Sequence, residues 1–306
     1  MPGYLRTLLV FCLWSAAAGA VDYDMVPGAR GVPLQIAEAG PREAPGVLFI
    51  HGWSLSSSSW LQQFESSLAD SWHLVALDLR GHGNSGKPWD RESYNDSKLW
   101  ADDIAAVLDA TGLEAPVVVA WSFGGHVTMD FLRHYPAERL GGVVFVGTTG
   151  GMLPFPPPDA ATAEEFARLG KLAVSPNAAD RMTAARGFVR GMLVAPVKQS
   201  VIDREVASTL AITPLVRKAM VGRPLDNSDL VNRLRFPVLF LLGDAERTAS
   251  LDGVNSLAAR IRAARVTLYE ETGHMPFIER QERFNADLAE FLRMVGRAPA
   301  GEGNGK

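Results

Sequence analysis

A serine, a histidine and a carboxylate, widely separated in the chain, are the residues whose types and settings could do chemistry, and the chemistry would be acyl transfer. Ser122 stands in VVVAWSFGGHVTMDF, where an apolar run of strand character passes into a run of helical period. Ala120 and Gly124 flank it, giving A-x-S-x-G where a nucleophile elbow more often reads G-x-S-x-G. A serine on such a tight turn presents its hydroxyl above the strand. The helix that follows aims its N-terminal dipole at negative charge developing beside that hydroxyl.

A serine hydroxyl needs a base. His274, in YEETGHMPFIE, follows the last strand-like run and precedes a helix that Pro276 can open. A neutral imidazole, with an ordinary pKa of about 6.5, can take the serine proton and later return it to a leaving group. A carboxylate near a strand end would orient that ring and stabilise its charged form. The segment VLFLLGDAE supplies two, Asp244 and Glu246.

The elements that must position these residues are legible as apolar runs. Strand-length runs occupy residues 32–37, 46–50, 73–79, 116–121, 142–147, 237–242 and 266–269, with a further one at 23–26. Pro33 inclines the run 32–37 towards a sheet edge. The runs VLFI, VVVA, VVFV and VLFLL lack polar alternation, as expected of strands covered on both faces. Helical period is expected at 57–69, 96–111, 124–134, 251–262 and 279–295. The four serines Ser56 to Ser59 read as a helix start.

Between residues 150 and 234 no strand-like run occurs, and several amphipathic segments follow GGMLPFPPP. This reads as an inserted helical cap, with helices near 162–173, 180–194, 201–212 and 214–221. Phe166, Met182, Phe188 and Met192 fall there, suited either to packing against the sheet or to lining a pocket. Met152, Leu153, Phe155, Phe188 and Met192 suggest an apolar pocket. The core then comprises 21–149 and 235–297, and the polar tail 298–306, without period, reads as disordered.

Three segments around the serine and histidine resemble the α/β-hydrolase superfamily over residues 22–297. They are the elbow itself, His51-Gly52-Trp53 after the strand VLFI, and the run from Asp78 to Gly86, DLRGHGNSG. The resemblance implies an α/β fold: a mostly parallel eight-stranded sheet with helices on both faces and an inserted cap. It also implies an oxyanion hole formed by the backbone N–H groups of Trp53 and Phe123, with His274 as base. The family's acid usually stands three residues after the glycine at the strand end, which makes Glu246 the expected partner and leaves Asp244 as the alternative. His51, His82, Asp78 and Arg80 lie in motif loops and are expected to brace them.

The resemblance also bears on the reaction. Haloalkane dehalogenases and soluble epoxide hydrolases of this fold carry Asp at the elbow, so Ser122 favours acyl transfer on a carboxylic ester, with no metal or organic cofactor required. HGW and WSFGG are similar to segments of cofactor-free haloperoxidases, which pass an acyl group to peroxide. Cleavage of a carbon–carbon bond in a dienoic acid is a third reading. From a different class, a hydrolase-like binding protein without turnover is kept open by Ala120 and Glu246.

Composition excludes other classes. The 306 residues are 47% apolar and 21% charged, which suits a folded domain, and a net charge of −4 without a basic block gives no attraction for nucleic acid. The first twenty residues carry one charged side chain, Arg6, then the apolar run Leu8 to Trp14, then Ala18-Gly19-Ala20. This order suits a secretory signal cleaved before Val21 and predicts a secreted or periplasmic protein with no stable membrane insertion afterwards. The single cysteine, Cys12, lies in that segment, leaving no disulfide to the mature chain, and its context does not support a lipid anchor.

Overall fold

A computed structural model of the protein describes residues 21–297. The expected signal segment, with Arg6 and Cys12, and the tail 298–306 lie outside the described residues. Eight strands form one sheet: β1 (Asp22–Pro27), β2 (Pro33–Ala39), β3 (Gly46–Ile50), β4 (His73–Leu77), β5 (Val117–Trp121), β6 (Gly142–Val146), β7 (Val238–Gly243) and β8 (Ala264–Tyr269). Their order is β1-β2-β4-β3-β5-β6-β7-β8. The pairs β1·β2 and β2·β4 are antiparallel and all others parallel.

The expected strand runs are all present, with ends shifted by a residue or two. The edge reading of Pro33 does not hold, because β1 covers β2 and pairs Pro27 with Pro33. Pro33 is tolerated there because it is the strand's first residue, where the ladder requires no N–H from it. Its carbonyl is used, accepting from Gly86 N at 2.7 Å.

Alternation along each central strand builds two cores. Leu48, Ile50, Val118 and Ala120 face one side, with Trp100, Ile104, Val127 and Phe131 from the helices Ser97–Thr111 and Phe123–His134. Val47, Phe49, Val117, Val119 and Trp121 face the other, with Phe284, Leu288 and Phe291 from the helix Gln281–Arg297. Side chains i and i+2 share a face, so a strand with no polar member can feed both cores.

Two expected helices are interrupted. Residues 57–69 form the 3-10 turns Ser57–Trp60 and Ser67–Asp70 around a single α-turn, Leu61–Phe64. Buried polar contacts hold this segment: Ser57 N donates to Asp78 Oδ1 at 2.7 Å and Ser59 Oγ to Glu205 Oε2 at 2.5 Å. Near the C-terminus, the helix Pro276–Glu279 ends at Arg280, whose backbone at φ −133°, ψ 46° is not helical, before Gln281–Arg297 begins. The segment expected at 251–262 stops at Ala258.

Four helices lie between β6 and β7: Ala160–Ala173, Ala178–Gly191, Gln199–Leu210 and Pro214–Ala219. Asp159, Asn177 and Thr213 cap three of them with side-chain oxygens that accept backbone N–H groups. Pro214 opens the fourth at a position where a missing N–H costs nothing. Among the described residues, no helix is long and apolar enough to cross a membrane.

The chain leaves β3 to form β4 on one side and returns to form β5 on the other, so β3 and β5 flank a topological switch point. In open α/β sheets, ligands bind in the crevice outside the carboxyl ends of such strands. The segment HGW is the loop that leaves β3, and WSFGG carries the turn from β5 into the helix Phe123–His134.

Candidate active site

Ser122 is the residue between β5 and the helix Phe123–His134, and its backbone is held at φ 52°, ψ −115°. A non-glycine residue at positive φ is strained by contact between its Cβ and the backbone, and here neighbours hold it in place. Ser122 N donates to Val146 O at 2.9 Å, and its carbonyl accepts from Gly125 N at 3.0 Å. Ala120, on the strand before the turn, is fully buried opposite Ile50. The close approach behind the elbow is made by Gly124 instead, where a Cβ would lie 2.5 Å from the Ile50 carbonyl oxygen.

The HGW loop runs against this turn. A Cβ on Gly52 would sit 3.2 Å from Ser122 Cβ and 3.1 Å from the Trp121 ring, so glycine lets the loop come this near. Trp53 and Phe123 line the same cavity as Ser122. Among the described residues, neither their backbone N–H groups nor that of Gly124 donates to a loop or turn carbonyl. Free amides at a helix start and on the facing loop can stabilise an oxyanion.

His274 follows β8. Its backbone N–H donates to Met192 O at 2.8 Å, and its carbonyl accepts from Trp121 Nε1 at 2.8 Å. Its ring Nδ1 lies 2.7 Å from Glu246 Oε2. The other carboxylate oxygen, Oε1, accepts from the amides of Arg247 and Thr248 at 2.8 and 2.7 Å. The Thr248 hydroxyl stands 2.8 Å from both Glu246 Oε1 and the Gly147 carbonyl. Burial pushes the Glu246 carboxyl up, but the His274 charge and these hydrogen bonds outweigh it and hold the group below its ordinary 4.5.

Gly147, at φ 57°, closes over the pair: a Cβ there would lie 2.7 Å from Glu246 Oε2 and 2.8 Å from His274 Nδ1. Asp244 is exposed and does not touch the imidazole. Its oxygens accept from Thr272 N at 3.0 Å and Glu271 N at 2.9 Å, which holds its carboxyl below the usual range and ties β7 to the loop that carries His274.

Asp78, Arg80 and His82 of the DLRGHGNSG run, with His51, are buried braces. Asp78 accepts from Ser57 N and Asn84 N at 2.7 Å each. Arg80 grips Asp103 with two N–H groups at 2.6 and 2.7 Å. His51 receives Leu79 N on Nε2 at 3.0 Å and places Nδ1 2.7 Å from Gly52 O, which fixes its tautomer. Burial lowers the pKa of His51 and His82. Neither ring lines the cavity.

The cavity encloses about 590 Å³. Phe155, Phe166, Phe188 and Met192 line it, whereas Met152 packs in the core and Met182 and Leu153 pack against it. Three polar residues of the wall belong to no sequence motif. Arg223 is buried, pairs with Asp130 and spreads over the Phe123 and Trp100 rings at 5.1 and 5.0 Å. His126 stacks between Phe123 and Phe155, its pKa lowered to about 4 by burial and then by Arg223. Thr248 is the third. An arginine between β6 and β7 has no local signature, and the signal available for His126 is its spacing four residues after Ser122.

The chain is similar in sequence and in fold to known hydrolases. Residues 47–287 match the model of the alpha/beta hydrolase family. The chain is 37% identical over 116 residues to the bifunctional esterase/perhydrolase DCH of Acinetobacter calcoaceticus, a match spanning 38% of this chain and 41% of that protein's length. It is 25% identical over 270 residues to a non-heme chloroperoxidase of Streptomyces lividans, covering 86% and 97% of the two chains. The crystal structure of the esterase RhEst1 from Rhodococcus sp. ECU1013 superposes with a TM-score of 0.79 at 26% identity, covering 90% of this chain and 99% of the other.

Proposed function

Because the chain belongs to the alpha/beta hydrolase family, we propose that it is a serine hydrolase cleaving a carboxylic ester through an acyl-enzyme on Ser122. The observation that carries this reading is the pairing of His274 Nδ1 with a buried, ionised Glu246 in the cavity that Ser122 lines. That bond leaves Nε2 of the ring as the proton acceptor for a nucleophile.

In this mechanism, Ser122 Oγ attacks the ester carbonyl carbon as its proton passes to His274. The carbonyl oxygen takes the negative charge, and the amides of Trp53 and Phe123 stabilise it. Collapse breaks the bond to the alcohol, which leaves with the proton from His274. Water then gives a proton to His274 and attacks the acyl carbon, releasing the acid and restoring the serine. Glu246 stays ionised throughout and stabilises the imidazolium. The stretch 150–234 acts as the cap that sets which acyl group reaches the serine, and residues 1–20 act as the export signal.

The test is hydrolysis of short nitrophenyl esters by the unmodified protein and by Ser122→Ala. Loss of about 10⁶ in kcat is expected for a nucleophile acting with its base, together with loss of labelling by an organophosphonate. Undiminished turnover in Ser122→Ala overturns the assignment. The similarity to an esterase/perhydrolase and a non-heme chloroperoxidase supports a second reading on the same residues, acyl transfer to peroxide. Peracid formed when peroxide is added to the ester assay would distinguish it.

A further inference from the structure

A second cavity, of about 370 Å³, lies within the helical insertion and shares a wall with the first. Trp53, Phe166, Leu169 and Phe188 line both spaces. The partition is aromatic: the Trp53 and Phe188 rings meet edge to face, 6.3 Å between centroids. Trp53 directly follows Gly52, which touches the serine turn, so this cavity begins one indole away from the proposed reacting centre.

Its wall is largely apolar, and the charged residues on it are two arginines, Arg181 and Arg217. Arg181 donates from Nη1 to the carbonyls of Ser175 and Pro176. Arg217, on the short helix Pro214–Ala219, is 8% exposed and donates from Nη2 to the Thr209 carbonyl at 2.6 Å. Its guanidinium lies 5.9 Å from the centre of the Trp53 ring.

Among the described residues, no carboxylate pairs with Arg217. Burial lowers its pKa only to about 10, so it stays charged at neutral pH. Buried charges are ordinarily paired, because an unmet one costs its full desolvation.

We propose that this cavity is the subsite for the far end of the substrate, and that it takes an apolar chain ending in a carboxylate held by Arg217. The proposal rests on the ester-cleaving reading and narrows it to half-esters of aliphatic dicarboxylic acids or lactones that carry a carboxylate. The apolar wall accepts the chain, and the carboxylate supplies the anion that the guanidinium lacks. Trp53 serves both ends of the substrate, its amide at the carbonyl and its ring at the passage between cavities.

The experiment compares kcat/KM for monomethyl esters of dicarboxylic acids with that for methyl alkanoates of equal length. At one chain length the half-ester should be preferred by about tenfold or more, as a charge-assisted bond allows. In Arg217→Gln that preference should fall about tenfold, mainly through KM, and Arg217→Lys should keep part of it. A preference unchanged in Arg217→Gln, or a preference for the neutral ester at every length, overturns the proposal. Should Arg217→Gln not fold, the unmodified protein decides: octanoate must inhibit a small neutral ester's hydrolysis at about tenfold lower concentration than octanol, and equal or absent inhibition overturns the proposal. Calorimetric binding of octanoate to Ser122→Ala separates the two claims. Binding without ester turnover in the unmodified protein keeps the subsite and removes the esterase reading, and turnover without binding does the reverse.

Discussion

His274 Nδ1 lies 2.7 Å from Oε2 of Glu246, although glutamate is one methylene longer than the aspartate that chains of this kind usually carry at that position. The extra length is absorbed at the other oxygen. Oε1 is held by the amides of Arg247 and Thr248, with the Thr248 hydroxyl beside it, so the carboxylate is fixed from behind while Oε2 faces the ring. Glu246→Gln should therefore lower kcat for ester hydrolysis about a thousand- to ten-thousandfold, because an amide can neither fix the imidazole tautomer nor stabilise its charge. Asp244→Asn, away from the ring, should cost less than about tenfold in steady-state assays of the same ester, and a larger loss there would reassign the acid.

Gly147 is where the pair is most sensitive to added volume. Gly147→Ala brings a methyl group against Glu246 Oε2 and His274 Nδ1 and places a side chain at φ 57°. The backbone strain alone costs about 1–2 kcal/mol. Calorimetry should show a lower Tm, and the ester assay a fall in kcat well beyond what that lost stability explains. Unchanged kcat would mean that the pair tolerates displacement.

Acid should destabilise the protein through His126. Burial and the Arg223 charge lower its pKa from 6.5 to about 4 in the folded chain. Between those values the unfolded chain binds the proton and the folded one does not. The stability this group contributes is thus complete above pH 6.5 and lost as the pH falls towards 4. Chemical denaturation of His126→Phe, whose ring can stack between Phe123 and Phe155, should show a smaller acid loss than the unmodified protein, by on the order of 3 kcal/mol at pH 4. Parallel pH curves would contradict this assignment.

Ala120→Gly restores the more usual elbow sequence at a site where the close approach is already made by Gly124. Turnover should rise by less than about twofold, and the variant should be less stable by about 0.5–1 kcal/mol from the added freedom of the unfolded chain. A large gain in kcat would show that the alanine methyl holds the turn away from its best geometry.

The export reading of residues 1–20 predicts that protein recovered outside the producing cytoplasm begins at Val21. N-terminal sequencing tests it, and a chain still beginning at Met1 would contradict it.

The sequence by itself determined the sheet and the places where chemistry could occur. Short apolar runs without polar alternation suit strands buried on both faces, and Trp53, Ser122 and Glu246 come after such runs, β3, β5 and β7, while His274 follows the partly exposed edge strand β8. Local pattern could not separate Asp244 from Glu246, because both leave the same strand and the choice depends on contacts with Thr272 and Thr248 made after folding. Pro33 misled for a similar reason, since whether a strand lies at an edge is settled by a partner, here β1. The segment 57–69 kept its helical period yet broke into turns, because Asp78 and Glu205, distant in sequence, bind its polar groups. Arg217 and Arg223 carry no motif: a guanidinium becomes informative only when folding removes it from water, and burial belongs to the tertiary structure alone.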